Sequence, residues 1–335
     1  MVSVLIRWVG RALVVMSGLL FLGWAGSQVA GRCLFVQLFP DPCLEPMMLS
    51  GAEASHQIID GGGHWLNEGK LTELIVCSRK TAHGWERPQQ LIIRNCRIRG
   101  SIRIMGMGRN GEAAEVKESS RSLGHTERAQ AAAPTDIVIS NVEIEAHHRI
   151  PLYLAPGVTR VVVEDSKFTG WSVSTGIYLD AESAHNVIRH NHFLLRAARE
   201  LIAVDGSAHN RIESNRFERV SFGGIYLYRN CGEGGTVRHQ APQQNVIAGN
   251  YFNTSTLARG AYGIWLGSRN GRRHYCHQDD GFPFGSSQDN RDFADNNTIK
   301  ANIFSSSCRR AIRDDGQNNR IVLGFTYENA PSVFF

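Results

Sequence analysis

The sequence predicts an all-β solenoid, a stack of short parallel strands wound as successive coils. Three observations carry this. The pattern N-x-I-x-x-N-x-F occurs at Asn186–Phe193, Asn210–Phe217, Asn245–Phe252 and Asn297–Phe304, and Asn319-Arg320-Ile321 begins another copy. A second short element alternates with it: Leu152-Tyr153-Leu154, Ile177-Tyr178-Leu179, Ile202-Ala203-Val204, Ile225-Tyr226-Leu227, Ile264-Trp265-Leu266 and Ile312-Arg313-Asp314. No run keeps a 3.6-residue period, which excludes a helical repeat.

Each element follows from stacking. Coils of parallel strands place like residues above like, about 4.8 Å apart. The Ile and Phe of the motif then form apolar ladders inside, and the Asn residues satisfy turn backbone and one another. Weaker copies lie upstream at Ile92–Ile98, Ile137–Ile144 and Val161–Phe168. Ser50–Gly63 reads as the first coil, with Asp60-Gly61-Gly62-Gly63 as a tight turn. Residues 107–134 lack periodicity and are expected to be a disordered insertion. The repeat, over roughly Ile58 to Phe325, resembles the right-handed parallel β-helix of the pectate-lyase-like superfamily.

The chain has 335 residues, 36 Lys and Arg against 31 Asp and Glu, and 42% hydrophobic residues. That composition supplies a sizeable core and excludes a mostly disordered protein. The formal charge of +5 comes without a dense basic block, so nucleic acid is not expected as a partner. Arg7 and Arg11 precede an apolar run from Ala12 to Gly26. Residues 1–31 therefore read as a cleaved signal peptide or a retained membrane anchor, 32–57 as a lead-in, and 58–335 as the solenoid. Either reading of 1–31 exports the protein, periplasmic, secreted or anchored, with membrane contact only through that segment. Export makes the seven cysteines disulfide candidates, and their odd number leaves at least one unpaired within the chain.

Spacing marks the functional edge. From Ile177 to the next ladder Asn is 9 residues, and from Ile202 it is 8, but from Ile225 it is 20 and from Ile264 it is 33. Two adjacent coils thus carry extra loops, 229–243 and 268–296, at one corner. Cys231 and Cys276 sit one in each, so they are expected to pair; Cys33 with Cys43 is a second candidate pair.

Strand alternation turns Tyr153, Tyr178, Ala203, Tyr226, Trp265 and Arg313 outward in one column. These aromatics are either a stacking platform for sugar rings or simply strand-favouring residues. The next outward column holds Asp180, Asp205 and Tyr228. Asp180 and Asp205 are neighbours, able to share a proton or bind Ca²⁺, or else two turn-starting aspartates. Asp279 and Asp280 are further calcium candidates, with no cofactor at all as the alternative. Arg229 and Arg269 follow their strands beside the aromatic column, and His239 and His274 offer acid–base groups or structural loop contacts.

The resemblance implies an activity on uronates. Removing the C5 proton needs a neutralised carboxylate and a base, and in several such families an Arg is that base. Arg229, Arg269, Arg313, Asp205 and His239 are the catalytic candidates, with Tyr153, Tyr178, Tyr226, Tyr228 and Trp265 to bind a polysaccharide. The Asn-Thr-Asp, Asp-Asp and Gly-His-Gly set of polygalacturonases and the Asp-Pro-His-Asp motif of mannuronan epimerases are absent. A lyase or epimerase is expected before a hydrolase. A non-catalytic glycan-binding or scaffold β-helix of the cell envelope is the alternative.

Overall fold

The computed structural model describes residues 44–305 and 310–322. The segment 1–31, Cys33, Cys43 and Cys308 lie outside the described residues, and no helix among the described residues is long and apolar enough to cross a membrane. Of the described strands, 23 join into one sheet of parallel pairings that winds into coils with three faces, and Arg79–Thr81 pairs with Gly84–Glu86 in a separate antiparallel hairpin. The first face stacks Leu152–Leu154, Ile177–Leu179, Ile202–Asp205, Ile225–Tyr228, Ile264–Leu266 and Ile312–Asp314. The second stacks Val162–Glu164, Val187–Arg189, Arg211–Glu213, Val246–Ala248, Thr298–Lys300 and Arg320–Val322. The third runs through Lys167–Ser172, His192–Phe193, Arg216–Phe217, Tyr251–Phe252 and Ile303–Phe304.

The interior is a set of ladders. Ile188, Ile212, Ile247 and Ile299 are in register and fully buried, as the repeat predicts. Phe168, Phe193, Phe217, Phe252 and Phe304 stack with ring centroids 4.7, 4.6, 4.8 and 4.9 Å apart. Two asparagine ladders turn the corners. Along one, Asn186, Asn210, Asn245 and Asn297 each donate from Nδ2 to the Oδ1 of the next Asn, ending at Asn319, at 3.1, 2.9, 3.1 and 3.2 Å. That same Oδ1 also accepts the backbone N–H of the preceding Asn. Along the other, Asn191, Asn215, Asn250 and Asn302 repeat the arrangement at 3.0, 3.0 and 2.9 Å. A buried amide is tolerated because its donors and acceptor are met. The residue just before each of these Asn residues takes the left-handed conformation, as at His185, His209, Gln244, Asn296, His190, Ser214 and Ala301.

Three expectations are corrected. The solenoid begins upstream of Ile58, since Glu45–Ser50 already pairs with Thr72–Cys77 on the first face. Gly61–Gly63 is not a turn between strands but an irregularity within Ile58–Trp65, which resumes pairing at His64. The segment 107–134 is ordered: it carries helix α1 (Ala114–Ser120) and helix α2 (His125–Ala132). Ala, Glu, Lys, Arg and Gln are strong helix formers, and Val116, Ala129 and Ala132 are buried against the coils.

Candidate functional site

Three insertions converge on the first face: 106–134, 229–243 and 268–296. Gly111 N–H donates to Asp180 Oδ2 at 2.9 Å. Ser120 at the end of α1 takes the Val237 N–H on Oγ at 3.1 Å and the His239 ring on its carbonyl at 2.7 Å. Thr126 of α2 donates to Glu182, whose carboxylate also takes the His239 N–H at 2.8 Å. Asp292 binds the roots of both long loops, accepting Arg229 N–H at 3.0 Å and Arg269 N–H at 2.8 Å. Burial pushes the Asp292 carboxyl up, against these backbone donors. Cys231 and Cys276 form the expected disulfide across the two loops; among the described residues Cys96 is the free thiol.

Under this roof the aromatic column is not a solvent-facing platform. Tyr153, Tyr178 and Tyr226 are each 8% exposed and Tyr228 1%. The Tyr153 and Tyr178 rings lie parallel at 5.0 Å. Each hydroxyl reaches one coil on, Tyr153 to Asp180 and Tyr178 to Asp205, both at 2.6 Å. Burial, and then the neighbouring carboxylate, raises both phenols well above their ordinary range, so they act as hydrogen-bond donors and not as bases. Strand alternation did turn these rings outward, but the insertions then covered them.

The two aspartates are adjacent and already satisfied. Asp205 accepts from Tyr178, from the Asn230 N–H at 2.8 Å and from Asn230 Nδ2 at 2.7 Å. Asp180 accepts from Tyr153, Gly111 N–H and Ala181 N–H, with Arg238 Nη1 at 3.6 Å. Burial raises the Asp180 carboxyl, and these partners oppose the rise. The calcium set is not brought together. Asp279 is buried elsewhere, bonded to Ser286, and Asp280 is exposed beside His277. Among the described residues no group of three or more His, Cys, Asp or Glu converges on one point.

A cavity of ≈ 190 Å³ opens here. Its floor is Tyr153, Tyr178 and Asp180, and one wall is Asn110, Gly111 and Glu112 of the first insertion. Asn230, Glu233 and Arg238 form the facing wall, and Arg199 closes the end. Arg238 is 2% exposed and stands between carboxylates: Nη1 lies 3.6 Å from Asp180 and Nη2 3.8 Å from Glu233. Nη1 makes no hydrogen bond. Burial works against its charge, but Asp180, Asp205 and Glu233 outweigh burial and raise it. Burial first, and then the Asp205 charge, pushes Glu233 up to about 7. The cavity thus pairs a fixed buried cation with a carboxyl that exchanges its proton near neutrality. Gly111 is required at the wall, since a Cβ there would lie 1.9 Å from Arg238 Nη1.

The other candidates are placed elsewhere. Arg269 lies flat on the Tyr228 ring at 3.6 Å and donates to Tyr275 Oη at 2.7 Å. Tyr275 in turn donates to Asn230 Oδ1 at 2.6 Å, and Tyr228 donates to Glu200 at 2.8 Å. Arg269 therefore positions Asn230 from behind the cavity. Arg229 is 3% exposed and donates to the Asp289 and Arg291 carbonyls at 2.5 and 2.6 Å, so it orders the second loop. His239 is held by Ser120, away from Glu233's cavity, and His274 is exposed beside Tyr275. Trp265 and Arg313 are half-buried in a separate cluster, with Arg313 over the Trp265 ring at 4.5 Å and Tyr262 at 5.1 Å from it.

Of the cavity's lining, Tyr153, Tyr178 and Asp180 were legible in the sequence, and Glu233 and Arg238 were not. Glu233 and Arg238 lie in the first of the two long insertions, yet their partners Asp180 and Glu112 are far off in sequence. Arg199 and Asn110 carried no motif. A family model described as a right-handed beta helix region matches residues 81–271, more than half of the chain. No curated protein matches it.

Proposed function

The chain belongs to the right-handed β-helix family, and from that premise we propose that it is an exported carbohydrate-active protein, a lyase or epimerase acting on an acidic, uronate-containing glycan. One observation carries this reading: the buried guanidinium of Arg238 and the near-neutral carboxyl of Glu233 share a cavity floored by tyrosines. A uronate carboxylate at Arg238, with Arg199 beside it, makes the C5 proton acidic by stabilising charge that develops on the carboxylate. Glu233 takes that proton, and the C5–H electron pair moves onto the carboxylate. In elimination the pair returns to form the C4–C5 double bond, the C4–O bond breaks, and protonated Glu233 gives its proton to the departing oxygen. In epimerisation a solvent proton adds to C5 from the opposite face as the pair returns to carbon, and Glu233 releases the proton it took to water. A pKa near 7 suits a group that must accept and then release a proton.

The test uses a panel of uronate polymers, following unsaturated-product absorbance and deuterium wash-in at C5. Glu233→Gln is expected to lower kcat about 10²–10⁴-fold with little change in KM. Neither product nor wash-in on any uronan would overturn the enzymatic reading. Binding that persists without turnover would instead favour a glycan-binding β-helix, which the fully satisfied Asp180 and Asp205 also suit.

A further inference from the structure

The cavity at Arg238 is closed along the solenoid axis, the direction in which a glycan lying over successive coils would run. Tyr153 is in register with Arg103 one coil upstream, and the Arg103 guanidinium lies on the Tyr153 ring, 4.1 Å from its centroid. The opposite face of that ring is taken by Tyr178 at 5.0 Å. Arg103 is itself fixed. Its Nη1 donates to the Arg109 carbonyl at 3.0 Å and its Nε to Glu73 at 3.3 Å, which ties it to the wall that continues as Asn110 and Gly111.

The downstream end is shut as well. Arg199 Nη2 donates to Glu200 at 2.8 Å and to Tyr228 Oη at 3.1 Å, which holds it across the end of the cavity. Beyond it protein fills the face. Ala203, in register with Tyr178, is fully buried, and the Arg269 guanidinium covers the Tyr228 ring at 3.6 Å. We infer that the cavity is a pocket for one terminal uronate, so that the protein acts at the ends of glycan chains and not within them; the inference rests on the uronate reading above.

Size and charge fit a single unit. The volume of ≈ 190 Å³ lies below the roughly 300–1,000 Å³ of sites for drug-sized ligands. The floor spans two paired strands, those of Tyr153 and Tyr178, and a coil spacing of about 4.8 Å is close to the length of one sugar unit. Arg238 Nη1, buried and without a hydrogen bond in the protein, provides for one carboxylate. An internal unit of a polymer needs an exit for each of its two neighbours. Two facing walls, a tyrosine floor and a guanidinium at each axial end leave the solvent side as the way in. In elimination the C4–O bond that breaks must therefore lie at the mouth, with the departing sugar outside. The buried unit is then the reducing end, and it leaves as a single unsaturated uronate.

The experiment titrates the full chain carrying Glu233→Gln, which halts the reaction and keeps the shape of the cavity. The probes are the dimers and hexamers of galacturonate, mannuronate, guluronate and glucuronate, followed calorimetrically. In a series that binds, the hexamer is expected to bind within about twofold of the dimer because its added units stay in water, whereas an open groove would gain more than about tenfold from a hydrogen bond to each. The unaltered protein gives a second measurement on the matching polymer. Unsaturated monouronate is expected from the first turnovers, or, in epimerisation, C5 deuterium confined to the terminal unit. A hexamer preferred by the margin of an open groove overturns the pocket. Unsaturated oligomers as early products, or deuterium along the chain, overturn it while keeping the lyase or epimerase. Equal affinity for dimer and hexamer with no turnover by the unaltered protein retains the pocket and removes the lyase or epimerase. Failure of every probe to bind, with no turnover, removes both.

Discussion

The Phe and Asn ladders and the covered first face occupy the same coils but are assembled by opposite rules. In the ladders each side chain meets its own kind one coil away: Phe217 lies between Phe193 and Phe252, and Asn215 between Asn191 and Asn250. On the first face the partners come from distant segments. Asp180 takes Gly111 N–H, His239 holds Ser120, and Arg229 binds the carbonyl of Arg291. Repetition thus gives the molecule its rigidity, and departures from repetition give it a cavity.

The largest test of this contrast is Phe217→Ala. It removes the middle of a stack with no space for collapse, so a loss of about 3–5 kcal/mol in global stability is expected in denaturant unfolding. A loss under 1 kcal/mol would mean that the ladder is not the structural spine.

Replacing Cys231 and Cys276 together by Ser asks the same question of the loops. The disulfide closes a sequence separation of 45 residues. Hydrogen exchange is expected to report local opening of 229–243 and 268–296 eased by about 2–4 kcal/mol, with the Ile212 and Phe217 amides unchanged. Equal loss of protection in the ladders would erase the distinction between the two regions.

Glu233 sharpens it through pH. Its folded carboxyl titrates at about 7, above an ordinary Glu. The unfolded chain therefore releases this proton first, so the stability contribution is full below the unfolded value near 4.5 and is lost as pH rises through about 7. In the proposed reaction, turnover is expected to rise across the same interval as Glu233 ionises. Glu233→Gln should flatten the stability change, and a slope that survives in the variant belongs to another group.

The smallest effect is expected at Ala301, which has φ 53° at a ladder corner where another coil has Gly249. Ala301→Gly relieves a left-handed Cβ and is expected to stabilise by about 0.5–1 kcal/mol, less the entropy gained by the unfolded chain. Destabilisation would show that the corner is not strained.

Legibility followed the same division. The register of Ile188, Ile212, Ile247 and Ile299 was readable because period and chemistry coincide in a stack. The pairing of Cys231 with Cys276 was readable because both loops leave one corner of neighbouring coils. Tyr153 and Tyr178 were correctly turned outward by strand alternation, but alternation says nothing of what lies above a strand, and the insertions bury them. The partners of Arg229 and Arg269 were not legible for the same reason: they are carbonyls and rings contributed by folded loops.

The sequence by itself determined the coil, its ladders, the corner from which the insertions leave and the disulfide between them, because each depends on neighbours at a fixed period. The tertiary structure alone decided that residues 107–134 form helices, that the tyrosines are covered, and that Glu233 and Arg238 share one cavity with Asp180. Those outcomes depend on contacts between segments with no common period, and on burial, which sets the Glu233 proton affinity only once three insertions have closed over the first face.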